Sequence, residues 1–334
     1  MMLLLCSLLA AWAGPVHTVL PGDTLLGLAG GDADRAEALR ELNGLDGEPV
    51  VGTLIELLPS QLAGAQQTAF LLSAVGEVTQ AIGQQAPTPL AVHQSVSPGS
   101  TVCTSEGGSA ALRLATLCTS DGDRTDDIVL SESTCVKVES VYADTSQRST
   151  AVRVLSGSVR VQEGDADGAV SVLTDAGVTA GQGGFRVTVE EESSRTEALS
   201  APVAVAAQGV AVDVGAGQGS RTVVGEAPGP AVDLLPPGVP TRPGEGEELV
   251  RPRFEWEPVE AALGYRLEIA ADPTFQEVLQ SEDVSDIPWS PPVFMLPWPS
   301  SGSLYWRVSS FDRLGFVGLP SKAMAMRLPE GVGR

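Results

Sequence analysis

Along most of the chain, apolar and polar positions alternate with a period of two. Leu112/Leu114, Val136/Val138, Val152/Val154, Val159/Val161 and Phe185/Val187/Val189 each skip a polar neighbour. Turn residues interrupt the pattern at intervals of about ten residues. Residues 68–224 are therefore predicted to be an all-β domain whose sheet faces pack on one another. The same period returns after residue 249, at Phe254/Trp256, Tyr265/Leu267/Ile269 and Leu304/Trp306/Val308, and predicts a small β-sandwich over 249–330. Between these regions, residues 225–248 are rich in Pro and Gly and read as a semi-extended linker.

The first part of the chain has a different rhythm. His17–Leu20 reads as a short strand, Pro21-Gly22 as a turn, and Asp23 as the cap of a helix starting at Thr24. Leu25, Leu28 and Ala29 share one helical face. A second helix is expected over Arg35–Leu42, with Ala38, Leu39 and Leu42 turned inward and Asn43-Gly44 as its stop. Leu54–Leu58 closes the segment as a strand. Residues 16–59 thus predict a βααβ module in a multidomain, mainly β protein.

Composition narrows the partners. The 334 residues carry 20 basic and 42 acidic side chains, a formal charge of −22. Such a chain offers no basic stripe for nucleic acid and is repelled by anionic membrane surfaces. The only lysines are Lys137 and Lys322, so no polybasic anchor can form. Eleven of the fifteen aromatics lie beyond residue 249, which sets the last domain apart.

Leu3–Ala11 forms a short apolar run followed by Ala11-Trp12-Ala13, the pattern of an export signal cleaved after Ala13. The run falls short of the roughly 20 residues a membrane span needs, and no later stretch is long and apolar enough. Leu5 is too bulky to make Cys6 a lipidation site. In an oxidising compartment Cys103, Cys118 and Cys135 remain. Cys118 and Cys135 bracket the acidic stretch 119–127 and are the first choice for a disulfide, with Cys103–Cys118 as the rival pairing. The acidic segments Asp121–Asp127 and Asp165–Gly168 read as solvated turns. Arg124 interrupts the first, and neither ends in the Glu that a calcium loop requires. No zinc-type cysteine spacing, phosphate-binding glycine loop or nucleophile–base arrangement occurs, so neither metal nor cofactor nor catalytic residue is expected.

Three stretches resemble known families. His17-Thr18-Val19, Pro21-Gly22-Asp23-Thr24-Leu25, Leu28-Ala29, Leu39 through Leu45 and Gly52 through Pro59 resemble the LysM family. That resemblance implies binding of N-acetylglucosamine glycans such as peptidoglycan. The implied groove has Gly22, Asp23, Thr24, Leu25 and Leu26 on one side and Asn43, Gly44, Leu45 and Asp46 on the other. Helix-terminal amides would meet acetamido carbonyls there, and Leu26 or Leu45 would cover a sugar face. Val75–Val78, Val96–Thr104, Ala110–Leu114, Ile128–Thr134 and Val154–Val161 resemble the FecR domain family, which implies an exported β scaffold. Pro252–Val259, Gly264–Ala270, Phe275, Tyr305–Val308 and Phe311–Gly315 resemble fibronectin type III-like domains of bacterial surface proteins. Their tryptophans Trp256 and Trp306 are expected in the core. Trp289 and Trp298, in a Pro-rich stretch, are weaker candidates for a sugar platform.

The expected function is a non-catalytic envelope protein, periplasmic or extracellular. It would be held to peptidoglycan by the first module and would present its β domains to an unidentified envelope partner. The alternative is a structural or adhesive protein that works through its β domains and keeps the LysM fold only as a relic.

Overall fold

A computed structural model describes residues 16–19, 23–29, 33–51, 53–56, 65–119, 122–143, 148–162, 168–249, 252–291 and 303–327. The expected leader, Gly22, Asp165–Asp167 and Trp298 lie outside the described residues. The protein is mainly β, built from several sheets.

The N-terminal segment runs strand Val16–Thr18, helix α1 (Leu25–Leu28), helix α2 (Ala33–Leu42) and strand Leu54–Glu56. The two strands pair antiparallel, with His17 opposite Ile55. Val19, Leu25, Ala29, Ala36, Leu39 and Ile55 form its core. Two details differ from expectation. Thr24, not Asp23, is the N-cap of α1, its Oγ1 accepting from the Gly27 amide at 3.0 Å. On α2 the buried residues are Ala36 and Leu39, while Leu42 is 43% exposed. The helix starts earlier than expected, and small Ala36 lets it lie close to α1.

Residues 65–233 form a closed barrel whose pairings fall into two walls. One wall is built around Val78–Ile82, Ser100–Thr104, Cys135–Ala143, Val178–Gly181 and Val203–Ala207. The other contains Ala69–Val75, Ser109–Thr119, Gly122–Leu130, Phe185–Val189 and Ser193–Ala198. Strand Arg148–Val161 joins them. Its first part pairs with Cys135–Ala143, and its last residues pair with Ile128–Leu130 and Phe185–Val189. The crossing point is Gly157, at φ +84°; a Cβ there would lie 2.3 Å from Thr134 Oγ1. The predicted alternating residues, from Leu112 to Val187, fill the space between the walls.

The disulfide joins Cys103 to Cys135, which corrects the expected Cys118–Cys135 pairing and its Cys103–Cys118 rival. Strand register explains the difference. Cys103 and Cys135 are direct antiparallel partners, their Cα atoms 4.2 Å apart, whereas Cys118 lies on the other wall, opposite Asp123. The acidic stretch is also not a free turn. Asp126 and Asp127 are buried on the strand Gly122–Leu130, and Arg113 grips Asp127 with two hydrogen bonds of 2.9 and 3.0 Å.

Beyond the barrel, a five-stranded sheet includes Gly264–Ala270, Val278–Val284, Ser303–Phe311 and Met324–Arg327, and a two-stranded sheet pairs Val239–Arg242 with Glu255–Glu257. Its core contains Phe254, Trp256, Tyr265, Leu267, Ile269, Leu304, Trp306 and Val308. The Trp306 indole donates to the Pro243 carbonyl at 3.0 Å. The Pro/Gly stretch 225–248 does not run as a free spacer. Val232–Asp233 pairs with Gln218–Gly219, Val239–Arg242 with Glu255–Glu257, and Glu247–Glu248 with Met326–Arg327. Its glycines permit this close laying-down: a Cβ on Gly229 would fall 2.8 Å from the Arg221 carbonyl.

Candidate functional site

The residues of the predicted groove divide into two kinds. The start of α1 and the turn after α2 are neighbours, because the Leu25 amide donates to Glu48 Oε2 at 2.7 Å. Leu26 is 48% exposed, and Thr24, Gly44 and Asp46 are exposed as well. Asp23 is half-buried.

The remaining predicted residues serve the fold. Leu25 is 1% exposed, and Leu45 packs against the same core. Asn43 is a clamp: its Nδ2 donates to the carbonyls of Leu39 at 2.9 Å and Glu56 at 2.8 Å, and its Oδ1 accepts from the Glu56 amide at 2.6 Å. That locks the end of α2 to the closing strand. Gly44, at φ +60°, completes the helix stop that Asn43 begins. One of the helix-terminal amides, that of Leu25, is already held by Glu48.

Of the tryptophans proposed as a platform, Trp289 packs beside Phe254 with ring centroids 6.0 Å apart, at the edge of the C-terminal core. Among the described residues no group of three or more His, Cys, Asp or Glu is placed to hold a metal ion, and no helix is long and apolar enough to cross a membrane.

A second constellation escaped the sequence reading. The outer face of one barrel wall carries Arg160 opposite Arg186, and Arg186 opposite Glu197. Against it lies the face of the C-terminal sheet that carries Arg266, Glu268 and Arg307, the last two directly paired across strands. Phe275 plugs the same junction. It is 1% exposed with φ +57°, the Arg307 guanidinium lies 3.9 Å over its ring, and its carbonyl accepts from Arg160. Arg307 Nε donates to Glu268 Oε2 at 2.7 Å.

Electrostatics within this junction are strongly perturbed. Burial alone would raise the Glu268 carboxyl, but Arg307, Arg160 and Arg186 outweigh it and hold that carboxyl far below the usual range. Burial raises the Glu197 carboxyl, and its arginine neighbours only partly offset this. Burial and then the adjacent Arg307 charge pull Arg160 down to about 9. Arg186 is lowered by burial as well. A signal was present in the sequence, since Arg160, Arg186, Arg266 and Glu268 occupy the polar places of apolar–polar strands. Nothing local says that a second sheet covers them.

Comparison with known proteins adds little. No protein-family model and no curated protein matches the chain. Among solved structures, two crystal structures of candidate anti-sigma factors from Parabacteroides distasonis ATCC 8503 align. One gives 12% identity and a TM-score of 0.29 over 40% of this chain and 59% of the other; the second gives 11% and 0.30 over 56% and 86%. Likeness at that level carries no inference about fold or function.

Proposed function

We propose that the protein is a non-catalytic component of the cell envelope, exported and held to peptidoglycan or a related N-acetylglucosamine glycan by residues 16–59. The supporting observation is the junction fixed by the Leu25–Glu48 hydrogen bond. It ties the start of α1 to the turn after α2, and Leu26, next in the chain, is exposed; in this reading Leu26 would cover a sugar face. A single such module binds weakly, and retention on an insoluble wall comes from many glycan sites in close reach. The disulfide Cys103–Cys135 fits an oxidising compartment. In this reading the barrel is an FecR-like scaffold and the C-terminal sheets a fibronectin type III-like domain, and together they form the surface offered to an envelope partner.

The alternative, a structural or adhesive protein with a vestigial module, draws on a specific observation too. The Leu25 amide and the Asn43 amide group are satisfied from within, so the module folds without calling on a ligand. Titration of the full chain with N-acetylglucosamine oligomers, followed by amide chemical shifts, separates the two. The tether predicts saturable shifts confined to residues 23–26 and 43–48, weakened at least tenfold in Leu26→Glu. Absence of shifts there, or shifts indifferent to Leu26→Glu, rejects it.

A further inference from the structure

The junction between barrel and C-terminal sheet encloses a narrow cavity of about 40 Å³, lined among others by Arg160, Arg186, Arg266 and Glu268. It adjoins an open cleft of about 400 Å³, lined by serine and threonine hydroxyls, by Arg266 and by the carboxylates Glu132, Glu282 and Asp283. The inner space suits one small group of a few heavy atoms. Arg186 is 4% exposed and its Nη1 has no hydrogen-bond partner, and on the directly paired Glu197 the buried Oε2 has none either. A buried guanidinium left with an open donor is costly, and the group that satisfies it must accept hydrogen bonds.

The charges point the same way. Arg266 is paired with Asp283 through hydrogen bonds of 2.8 and 2.9 Å, and Arg195 with Glu190 at 3.1 Å. Arg160, Arg186 and Arg307 are left to share Glu268 and Glu197. The remaining carboxylates nearby are engaged elsewhere: Asp272 accepts from the amides of Thr274, Gln276 and Glu277, and Glu132 accepts from the Gly107 amide. Burial first, and then the neighbouring Arg307 and Arg186 charges, lower Arg160 to about 9.

We propose that this cavity is an anion-binding site for one small oxyanion, a carboxylate end group or an inorganic ion, held by Arg160 and Arg186 and reached through the adjoining cleft. Guanidinium forks match the planar geometry of a carboxylate or the edge of a tetrahedral oxyanion. The cleft would take the remainder of a larger ligand bearing that carboxylate. This inference is independent of glycan binding by the N-terminal module.

The test is a titration of the full chain with sodium acetate and, separately, with inorganic phosphate at fixed ionic strength, read as thermal stability and as calorimetric binding. A saturable rise in Tm with one-to-one stoichiometry is expected for at least one probe. Acetate alone would mark a carboxylate site, and phosphate alone an inorganic one. Arg186→Gln should remove the response or weaken it at least tenfold. Should that variant not fold, a crystal grown in bromide supplies the second reading, with an anomalous peak between Arg160 and Arg186 in the native protein. No saturable response to either probe, or no peak at that place, overturns the site and leaves a structural ion network.

Discussion

At the scale of single residues, the account rests on positions whose chemistry leaves little freedom. Gly157 lets one strand pass from wall to wall, at φ +84° with Thr134 Oγ1 in the space a Cβ would take. Gly157→Ala meets both backbone strain and a clash with a hydroxyl that accepts from the Ser158 amide. It should cost about 3 kcal/mol, seen as a lower urea midpoint with an unchanged m-value. Glu268 makes a prediction in pH. Its folded-state pKa is depressed, so its contribution is complete above the ordinary carboxylate range and is lost as pH falls through that range and below. Glu197, raised by burial, acts in the opposite sense: its ionisation costs stability as pH rises through its raised value. Glu268→Gln should therefore destabilise the protein by about 3 kcal/mol at pH 7, since it leaves buried arginines uncompensated. The deficit should shrink as pH is lowered toward 2, measured by denaturant midpoints across the range. A deficit independent of pH would contradict the assignment.

At the scale of elements, the disulfide is the clearest case. It ties two adjacent strands and closes a chain segment with a sequence separation of 32. Cys103→Ser or Cys135→Ser should lower stability by about 4 kcal/mol in the chain-entropy model. Cys118→Ser should leave the cross-link intact, as peptide mapping without reductant would show. The three cysteines also mark what a sequence can tell. Period-two alternation identified Leu112, Val136, Val152, Val159 and Phe185 as core, and they are buried, because side-chain alternation is a local property of strands. Pairing of strands distant in the chain is not local, so proximity in sequence favoured Cys118 while register selected Cys103. The N-terminal groove shows the same division. Its helix stop, Asn43 and Gly44, was legible from capping chemistry, while the N-cap fell on Thr24, one residue beyond the Asp23 expected. That Asn43 would spend its amide on the Glu56 backbone, and Glu48 its carboxylate on the Leu25 amide, depended on how the closing strand folds back.

At the scale of the whole molecule, the Pro/Gly stretch and the arginines join the barrel to the C-terminal sheets. Residues 225–248 contribute strands to the sheets they connect, and the barrel meets the C-terminal sheet across Phe275, Glu268 and a group of buried guanidiniums. In a chain of net charge −22, positive groups are gathered at this junction. The outward positions of the flanking strands were visible as polar in the sequence, but which surface would cover them was not. The functional reading places wall attachment at the other end of the chain, in residues 16–59. Its most direct test is co-sedimentation of residues 14–334 with purified insoluble peptidoglycan, beside the same chain lacking residues 16–60. The account predicts that the intact chain pellets with the wall and the shortened chain stays in solution. Equal behaviour of the two, whether both pellet or neither does, would contradict it.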